Sequence, residues 1–213
     1  MKKEKKALNF VITAGPTREF IDPVRFLSNP STGKMGFAVA KAAASMGHKV
    51  TLVAGPVSLP TPKGVERVDV VSAREMYAAV KKALSPGCVF VATAAVADWR
   101  SAVYSKRKLK KTQMSGVLNL VRNPDILKSV KGCVKVGFAA ETHDVLSEAL
   151  RKCREKKLAM TVANDVSEKG SGFGVDTNRV SFVFADGRIE SLEQMSKLSV
   201  ARRIVRVCEN ICS

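Results

Sequence analysis

Six short apolar runs, separated by stretches of helical length, set the strongest limit on how this chain folds. They are LNFVIT (8–13), KVTLVAGP (49–56), VERVDVV (65–71), CVFVATAAVAD (88–98), VKVGFAAE (134–141) and LAMTVANDV (158–166). The run at 88–98 is apolar and β-branched enough for a strand buried on both faces. Between the runs, residues 35–46 are apolar nearly all round, as for a helix pressed onto a sheet. Ser72, with Glu75 three residues on, opens a second helix through Leu84 with a capping box. A short helix follows in NPDILKSV, and 144–157 carries an apolar stripe of Val145, Leu146, Ala149, Leu150 and Cys153. RVSFVFADGRIE (179–190) reads as a hairpin around Asp186-Gly187, and a basic amphipathic helix closes the chain. Strands alternating with helices predict an α/β domain over 1–213, its mostly parallel sheet flanked by helices. Ligands bind such sheets beyond the carboxyl ends of the strands, here within 14–34, 55–62, 93–100, 138–144 and 163–176.

Composition narrows the partners. The chain has 213 residues, 46% hydrophobic and 26% charged, the mixture of a soluble globular domain. Its basic start, MKKEKK, leads into an alternating segment and not a long apolar core, unlike a signal peptide. No apolar run nears the ~20 residues that span a bilayer, so the expected compartment is the cytoplasm. Cys88, Cys133, Cys153, Cys208 and Cys212 form no C-x-x-C pair and read as buried free thiols. His48 and His143 are too few and too far apart in sequence for a zinc site. The formal net charge of +17 points to an anionic partner. Its densest cluster, SKRKLKK (105–111), lies in a basic flap at about 99–118 that has no core signal.

RFLSNPSTGKMG (25–36) prepares a helix N-terminus to meet an anion. It is not a nucleoside-triphosphate P-loop, because Ser28 and Met35 stand where that motif needs Gly and Ser or Thr. A nicotinamide enzyme is disfavoured too. AGPTREF follows the first run in place of G-x-G-x-x-G, and no acidic residue ends the second. A basic nucleic-acid-binding module is the alternative that charge alone leaves open, with no recognition motif behind it.

ITAGPTREFIDPVRFLSNPSTGKMG, AGPVSLPTP, AAVADWR, KLKK, NPDIL, GFAAET and ANDV occur in this order over about residues 8–185. The series resembles the phosphopantothenate–cysteine ligase family, in its stand-alone bacterial form. The resemblance implies a Rossmann-like fold and a reaction of coenzyme A biosynthesis. The carboxylate of 4'-phosphopantothenate attacks the α-phosphate of CTP, giving an acyl-cytidylate and pyrophosphate. Cysteine then displaces CMP to form the amide. Mg²⁺ held mainly through the nucleotide phosphates is implied, its protein ligands unassigned, and no flavin. Also implied are a homodimer and a separate decarboxylase acting on the product, with neither nucleic acid nor membrane as partner.

The same resemblance assigns the site. Lys108 matches the family's essential lysine, and Asn29 and Arg25 match the pair that processes the acyl-cytidylate. An Asn amide donates to a developing oxyanion without being charged. Ala95, Asp98, Pro124, Asp125, Ile126, Phe138, Lys152 and Lys156 match CTP-contacting positions, as Lys108 does. On the residues alone, Asp98 at the end of the fourth strand has a second reading as a helix or turn cap, and Phe138 one as a core aromatic. Lys152 and Lys156 share a helix face, where like charges repel unless an anion lies between them. Read alone, they are a solvated last turn favoured by the helix dipole. Gly33 and Lys34 present the helix N-terminus to substrate and intermediate. Gly15 and Thr17 serve phosphate similarly or form a plain tight turn.

Overall fold

The computed structural model describes residues 6–110, 116–141, 143–165, 172 and 174–213. Its centre is an eight-stranded sheet. Six strands run parallel: β1 (Asn9–Ala14), β4 (Lys49–Ala54), β5 (Val65–Asp69), β6 (Val89–Ala92), β9 (Val134–Glu141) and β10 (Met160–Asp165). Their order across the sheet is β5-β4-β1-β6-β9-β10. Strands added after β1 therefore build outward first to one side and then to the other. The switch between β1 and β6 leaves a crevice at their carboxyl ends, where such sheets take their ligands. The expected Rossmann-like, mostly parallel architecture is the one found.

The hairpin expected at 179–190 extends this sheet. β12 (Val180–Val183) pairs antiparallel with β10, and β13 (Ile189–Ser191) lies outside it. Gly187, at φ 93°, makes the tight turn between them. Three small ladders were not legible in sequence. β2 (Arg18–Phe20) pairs with β3 (Phe26–Ser28), and β7 (Trp99–Ser101) with β8 (Leu120–Arg122). β11 (Thr177–Asn178) pairs with β14 (Met195–Ser196).

Two predicted elements need correction. The fourth strand, expected over 88–98, ends at Ala92, so Ala95 and Asp98 lie on the loop beyond it. The reason is a contact across the sheet: Thr93 turns its hydroxyl onto the Thr13 carbonyl, 2.5 Å away, and the ladder with β1 stops at Ala92. The basic flap at 99–118 is not a bare loop. Its base is the β7–β8 ribbon, while 111–115 lie outside the described residues.

Helices cover both faces. α1 (Lys34–Ser45) and α5 (Lys197–Ile211) pack together on one side with Phe10, Ile12, Leu52 and Phe182. α2 (Ala73–Ala83), α3 (Ile126–Ser129) and α4 (Val145–Glu155) cover the other, over Val11, Val53 and Phe90. The central strands thus bury side chains on both faces, as their β-branched runs require. The α2 capping box forms as read. The Ser72 hydroxyl accepts from the Glu75 N–H, and Glu75 Oε2 accepts from the Val71 N–H at 2.9 Å. Cys88, Cys153 and Cys208 are buried free thiols and Cys133 is half-buried; Cys212, expected buried, is exposed.

Glycine brings the strand ends and α1 into contact. A Cβ on Gly36 would lie 2.4 Å from Thr93 Oγ1 and 2.5 Å from Ala14 Cβ. At Gly55, beyond β4, it would lie 1.8 Å from the Pro16 carbonyl oxygen. Only a residue without a side chain lets the N-terminal turn of α1 sit directly on the β1/β6 crevice.

Candidate active site

A cavity of about 730 Å³ opens over this crevice. Its floor is the carboxyl ends of the strands, through Thr13, Ala92, Phe138, Ala139 and Asn164. One wall is the start of α1, from Ser31 to Gly36, with Lys197 beside it. The opposite wall is the loop from Thr93 to Trp99, the segment Arg122–Lys128, and Lys152 and Lys156 of the α4 side. Lysines from both faces of the sheet therefore line one cavity. Asp98 and Asp125 are the carboxylates among its described lining residues.

The α1 wall is built for an anion. Gly33 caps the helix at φ 77°, with no side-chain cap and no acidic residue in the first turn. The first N–H groups and the positive end of the helix dipole are left to the cavity. Lys34 follows at once and is held by the Gly174 carbonyl, 3.0 Å, and Asp176 Oδ1, 2.8 Å. That lysine hydrogen bond, with the charge behind it, keeps the Asp176 carboxyl below its usual range.

On the opposite wall the predicted nucleotide contacts meet one another. Lys156 pairs with Asp125 at 2.8 Å, and Lys152 donates to the Phe138 carbonyl at 2.5 Å. The like-charged neighbours are thus quieted by different partners. Burial works against the Asp125 carboxylate. The Lys156 hydrogen bond, the Lys128 N–H and both lysine charges outweigh it and lower its pKa. Asp125 also caps α3 by accepting from Lys128 N–H at 2.9 Å. Behind them, Lys135 donates to the Lys156 carbonyl, and burial lowers its pKa. Pro124 and Ile126 line the cavity beside Asp125. Phe138 contributes to both cavity and core, so the two readings of it are compatible.

The loop carrying Ala95 and Asp98 is fixed from below. The Ala95 N–H donates to the Gly15 carbonyl at 2.9 Å, and the Ala97 N–H to Thr17 Oγ1 at 3.0 Å. Asn123 Nδ2 donates to the Ala97 carbonyl, and its N–H to the Asp98 carbonyl. Gly15 and Thr17 take the tight-turn alternative. Thr17 is fully buried with its hydroxyl committed to this loop, and neither residue lines the cavity. Asn29 is exposed at the rim, its amide donating to the Ala95 carbonyl at 3.1 Å.

Arg25 stands away from the cavity lining. Its guanidinium grips the buried Asp22 carboxylate, with Nη2 at 2.5 Å and Nε at 3.0 Å, and Nη2 also donates to the Leu109 carbonyl at 2.8 Å. Asp22 in turn accepts from the Leu109 N–H at 3.2 Å. The Arg25 hydrogen bonds, helped by three backbone N–H groups, hold the Asp22 carboxyl far below the usual range against its burial. The pair therefore clasps the flap at Leu109, next to Lys108. Lys108 itself is exposed and does not line the cavity.

Asn164, Asn178, Asn123, Lys197 and Asp22 went unselected in the sequence. Asn164 had a signal: a polar residue at the carboxyl end of an otherwise apolar strand run. Lys197 sits in a helix full of surface cations, and nothing distinguishes it there. Among the described residues, no group of three or more His, Cys, Asp or Glu side chains is placed to hold a metal ion. No described helix is long and apolar enough to cross a membrane.

The family of C-terminal domains of DNA/pantothenate metabolism flavoproteins matches residues 5–211. The chain belongs to this family. It is 46% identical over 210 residues to the coenzyme A biosynthesis bifunctional protein CoaBC of Vibrio vulnificus, covering 95% of the chain and 52% of that relative. The crystal structure of a CoaBC C-terminal domain superposes with a TM-score of 0.81 at 39% identity, covering 97% of this chain and 96% of that one. Cab2, solved with phosphopantothenate-cysteine, shares the fold with a TM-score of 0.78 at 16% identity, covering 96% of this chain and 87% of that one. The chain spans about half the length of the curated relatives it matches, a span that coincides with the family's C-terminal domain.

Proposed function

We propose that this chain carries the phosphopantothenate–cysteine ligase reaction of coenzyme A biosynthesis. The observation that carries the reading is a single cavity over the parallel strand ends, lined by lysines from both helical layers and bordered by a clasped basic flap. Two polyanions and a pyrophosphate leaving group need fixed cations at several points, and this cavity offers them. CTP would lie along the Lys152–Lys156 wall, with Ala95, Asp98, Pro124, Asp125 and Ile126 at its base and ribose. The carboxylate oxygen of 4'-phosphopantothenate attacks the α-phosphorus, and Lys108 from the flap offsets the charge gathering there. Asn29 then donates to the oxyanion formed when the cysteine amine attacks the acyl carbonyl. Arg25 serves both steps by holding the flap through Asp22 and Leu109.

Mg²⁺ fits the site as a passenger of the nucleotide, since it keeps its own waters and needs few protein ligands. Asn164 and Asn178 line the cavity and their Oδ1 atoms have no hydrogen-bond partner, so they suit the ion's water shell. When bound, the ion neutralises phosphate charge. The site reading calls for no flavin, and we assign the product to a separate decarboxylase and the protein to the cytoplasm.

The test is direct. Purified protein with Mg²⁺, CTP, phosphopantothenate and cysteine should release pyrophosphate and CMP in equal amounts. A folded sample that does not exceed background refutes the assignment, and ATP in place of CTP measures the base preference. Tight RNA binding that persists at high salt would instead favour the nucleic-acid reading, because plain phosphate attraction weakens with salt.

The homodimer has its own support. Val24, Phe26, Trp99, Leu120 and Val121 are exposed apolar side chains on or beside the β2–β3 and β7–β8 ribbons, and β2 packs against β7. Exposed apolar side chains gathered on two ribbons that pack together suit a protein contact. We assign it to a second copy, which would bring two flaps together. Sedimentation should give twice the chain mass, and Trp99→Glu should return it to one. A wild-type chain that sediments as a monomer at micromolar concentration overturns this part.

A further inference from the structure

We infer that Lys135, outside the motif series, is a positioning residue for the nucleotide: it fixes the turn after α4 and, through that turn, the placement of Lys156 in the cavity wall. The inference rests on the ligase reading and adds to it how one of the CTP contacts is held.

α4 ends in a turn that its own sequence does not favour. Lys156 is the C-cap residue, and Lys157 follows at φ 53°, a left-handed conformation in which glycine is usual. The Lys157 N–H donates to the Arg154 carbonyl at 3.1 Å, and the Leu158 N–H to the Cys153 carbonyl at 2.8 Å. These two bonds fold the turn back onto the last helical residues. The Lys156 carbonyl takes no part in them, and Lys135 Nζ donates to it. The Lys135 carbonyl in turn accepts from the Ala159 N–H at 2.9 Å. One residue of β9 thus holds the chain on both sides of Lys157.

Lys135 is 8% exposed and does not line the cavity. It shares a face of β9 with Gly137, where a Cβ would meet Leu158 at 2.8 Å and Leu127 of α3 at 3.1 Å. A buried ammonium is costly unless it is hydrogen-bonded, and the carbonyl end of a helix is a favourable place for one. Burial lowers its pKa; the charge of Asp125 opposes that, while Lys157 and Lys156 add to it. The residue whose carbonyl Lys135 holds is the one that reaches the cavity. Lys156 Nζ lies 2.8 Å from Asp125 Oδ2, and Asp125 caps α3. Contacts therefore run without a break from the middle of the sheet, through Lys135, the Lys156 backbone and the Lys156 ammonium, to the start of α3.

Without the Lys135 ammonium the Lys156 carbonyl loses its partner, and the left-handed turn is free to shift. Lys156 shifts with it, because its side chain starts from that residue. A contact made alike in ground and transition states sets KM and leaves kcat unchanged, so the effect should be read in nucleotide affinity.

The test titrates CTP with Mg²⁺, and separately phosphopantothenate, into wild type, Lys135→Met, Lys156→Met, and Lys135→Met combined with either Lys156→Met or Lys157→Gly. Lys135→Met should bind CTP roughly 10-fold more weakly, short of the ~10² that a fully misplaced group costs. Its phosphopantothenate affinity should stay at the wild-type value, and in turnover the loss should fall on KM for CTP. Added to Lys135→Met, Lys157→Gly relaxes the left-handed turn and should restore most of the CTP affinity. In the Lys156→Met background, Lys135→Met should cost nothing further. Wild-type CTP affinity in folded Lys135→Met overturns the inference, as does an equal loss for phosphopantothenate. A loss that adds in full to that of Lys156→Met, or no recovery with Lys157→Gly, also overturns it. Should Lys135→Met not fold, Lys135→Gln, which keeps a donor on a shorter stem, carries the comparison, and wild-type CTP affinity there counts against the inference. Wild type separates the two levels. An enzyme that turns over with an indifferent Lys135 leaves the ligase reading standing, whereas a wild type that binds no CTP removes both.

Discussion

Lys108→Gln is expected to abolish turnover while leaving the protein folded. The side chain is exposed on the flap, where substitutions away from packed or paired groups change stability by no more than about 0.5 kcal/mol. Under the proposed reaction its catalytic contribution should be large, because the exposed cation would offset charge on the reacting phosphate. The Asp22–Arg25 clasp fixes the neighbouring residue, Leu109, through both its N–H and its carbonyl. In the proposed reaction the charge would be presented from this fixed point. Asn29→Asp provides the contrast. Replacing a donor by an anion beside a developing oxyanion should cost ~10²–10³ in the cysteine step. Acyl-cytidylate should still form and accumulate in that variant, whereas Lys108→Gln should make none. Quenched-flow detection of the intermediate in each variant checks this. Near-normal turnover of Lys108→Gln, or loss of intermediate formation in Asn29→Asp with CTP binding intact, would contradict the division of labour.

Gly36→Ala should be among the most damaging single-methyl additions to this chain. The new Cβ meets Thr93 Oγ1 and Ala14 Cβ at 2.4 and 2.5 Å, and the Thr13 carbonyl oxygen at 3.0 Å. Thr13 and Ala14 are buried at the end of β1, and Thr93, just past β6, is tied to the Thr13 carbonyl, so they have little room to retreat. Overpacking of this kind costs typically ~1–3 kcal/mol. For a chain of this size, that lowers Tm by roughly 2–4 °C for each kcal/mol. The functional loss should exceed the stability loss, because the strain is relieved by lifting α1 and its N–H groups off the crevice. Urea unfolding combined with CTP titration measures both. A variant with wild-type stability and affinity would show that α1 is not held where the contacts place it.

Much of the fold was legible because its determinants are local. β-branched runs of strand length, a Ser-x-x-Glu cap and an Asp-Gly turn act within a few residues of themselves. The alternation of strands and helices then leaves few ways to build a sheet. The small ladders were hidden because their strands are two or three residues long and partly exposed, so neither periodicity nor hydrophobicity marks them. Strand β6 was read too long for a related reason. The apolar run continues to Val96, and only the Thr93 bond to Thr13, eighty residues away, ends the ladder.

The site divides along the same line. Residue identity within the motif series sufficed to select Lys34, Asp98, Asp125, Phe138, Lys152 and Lys156, and all of them line the cavity. Who partners whom was invisible: Lys156 with Asp125, Lys34 with Asp176, Arg25 turned onto Asp22, and Thr17 spent on the loop beneath Ala95. Sequence by itself determined the layers of the fold, the end of the sheet where the cavity opens, and the excess of cations around it. These follow from hydrophobic pattern, chain direction and the sign of the charges. Only the tertiary structure decided which cations face the cavity and which carboxylates hold them at rest. Hydrogen bonds and ion pairs act over about three ångströms, whereas the residues that make them here are often separated by tens of positions along the chain.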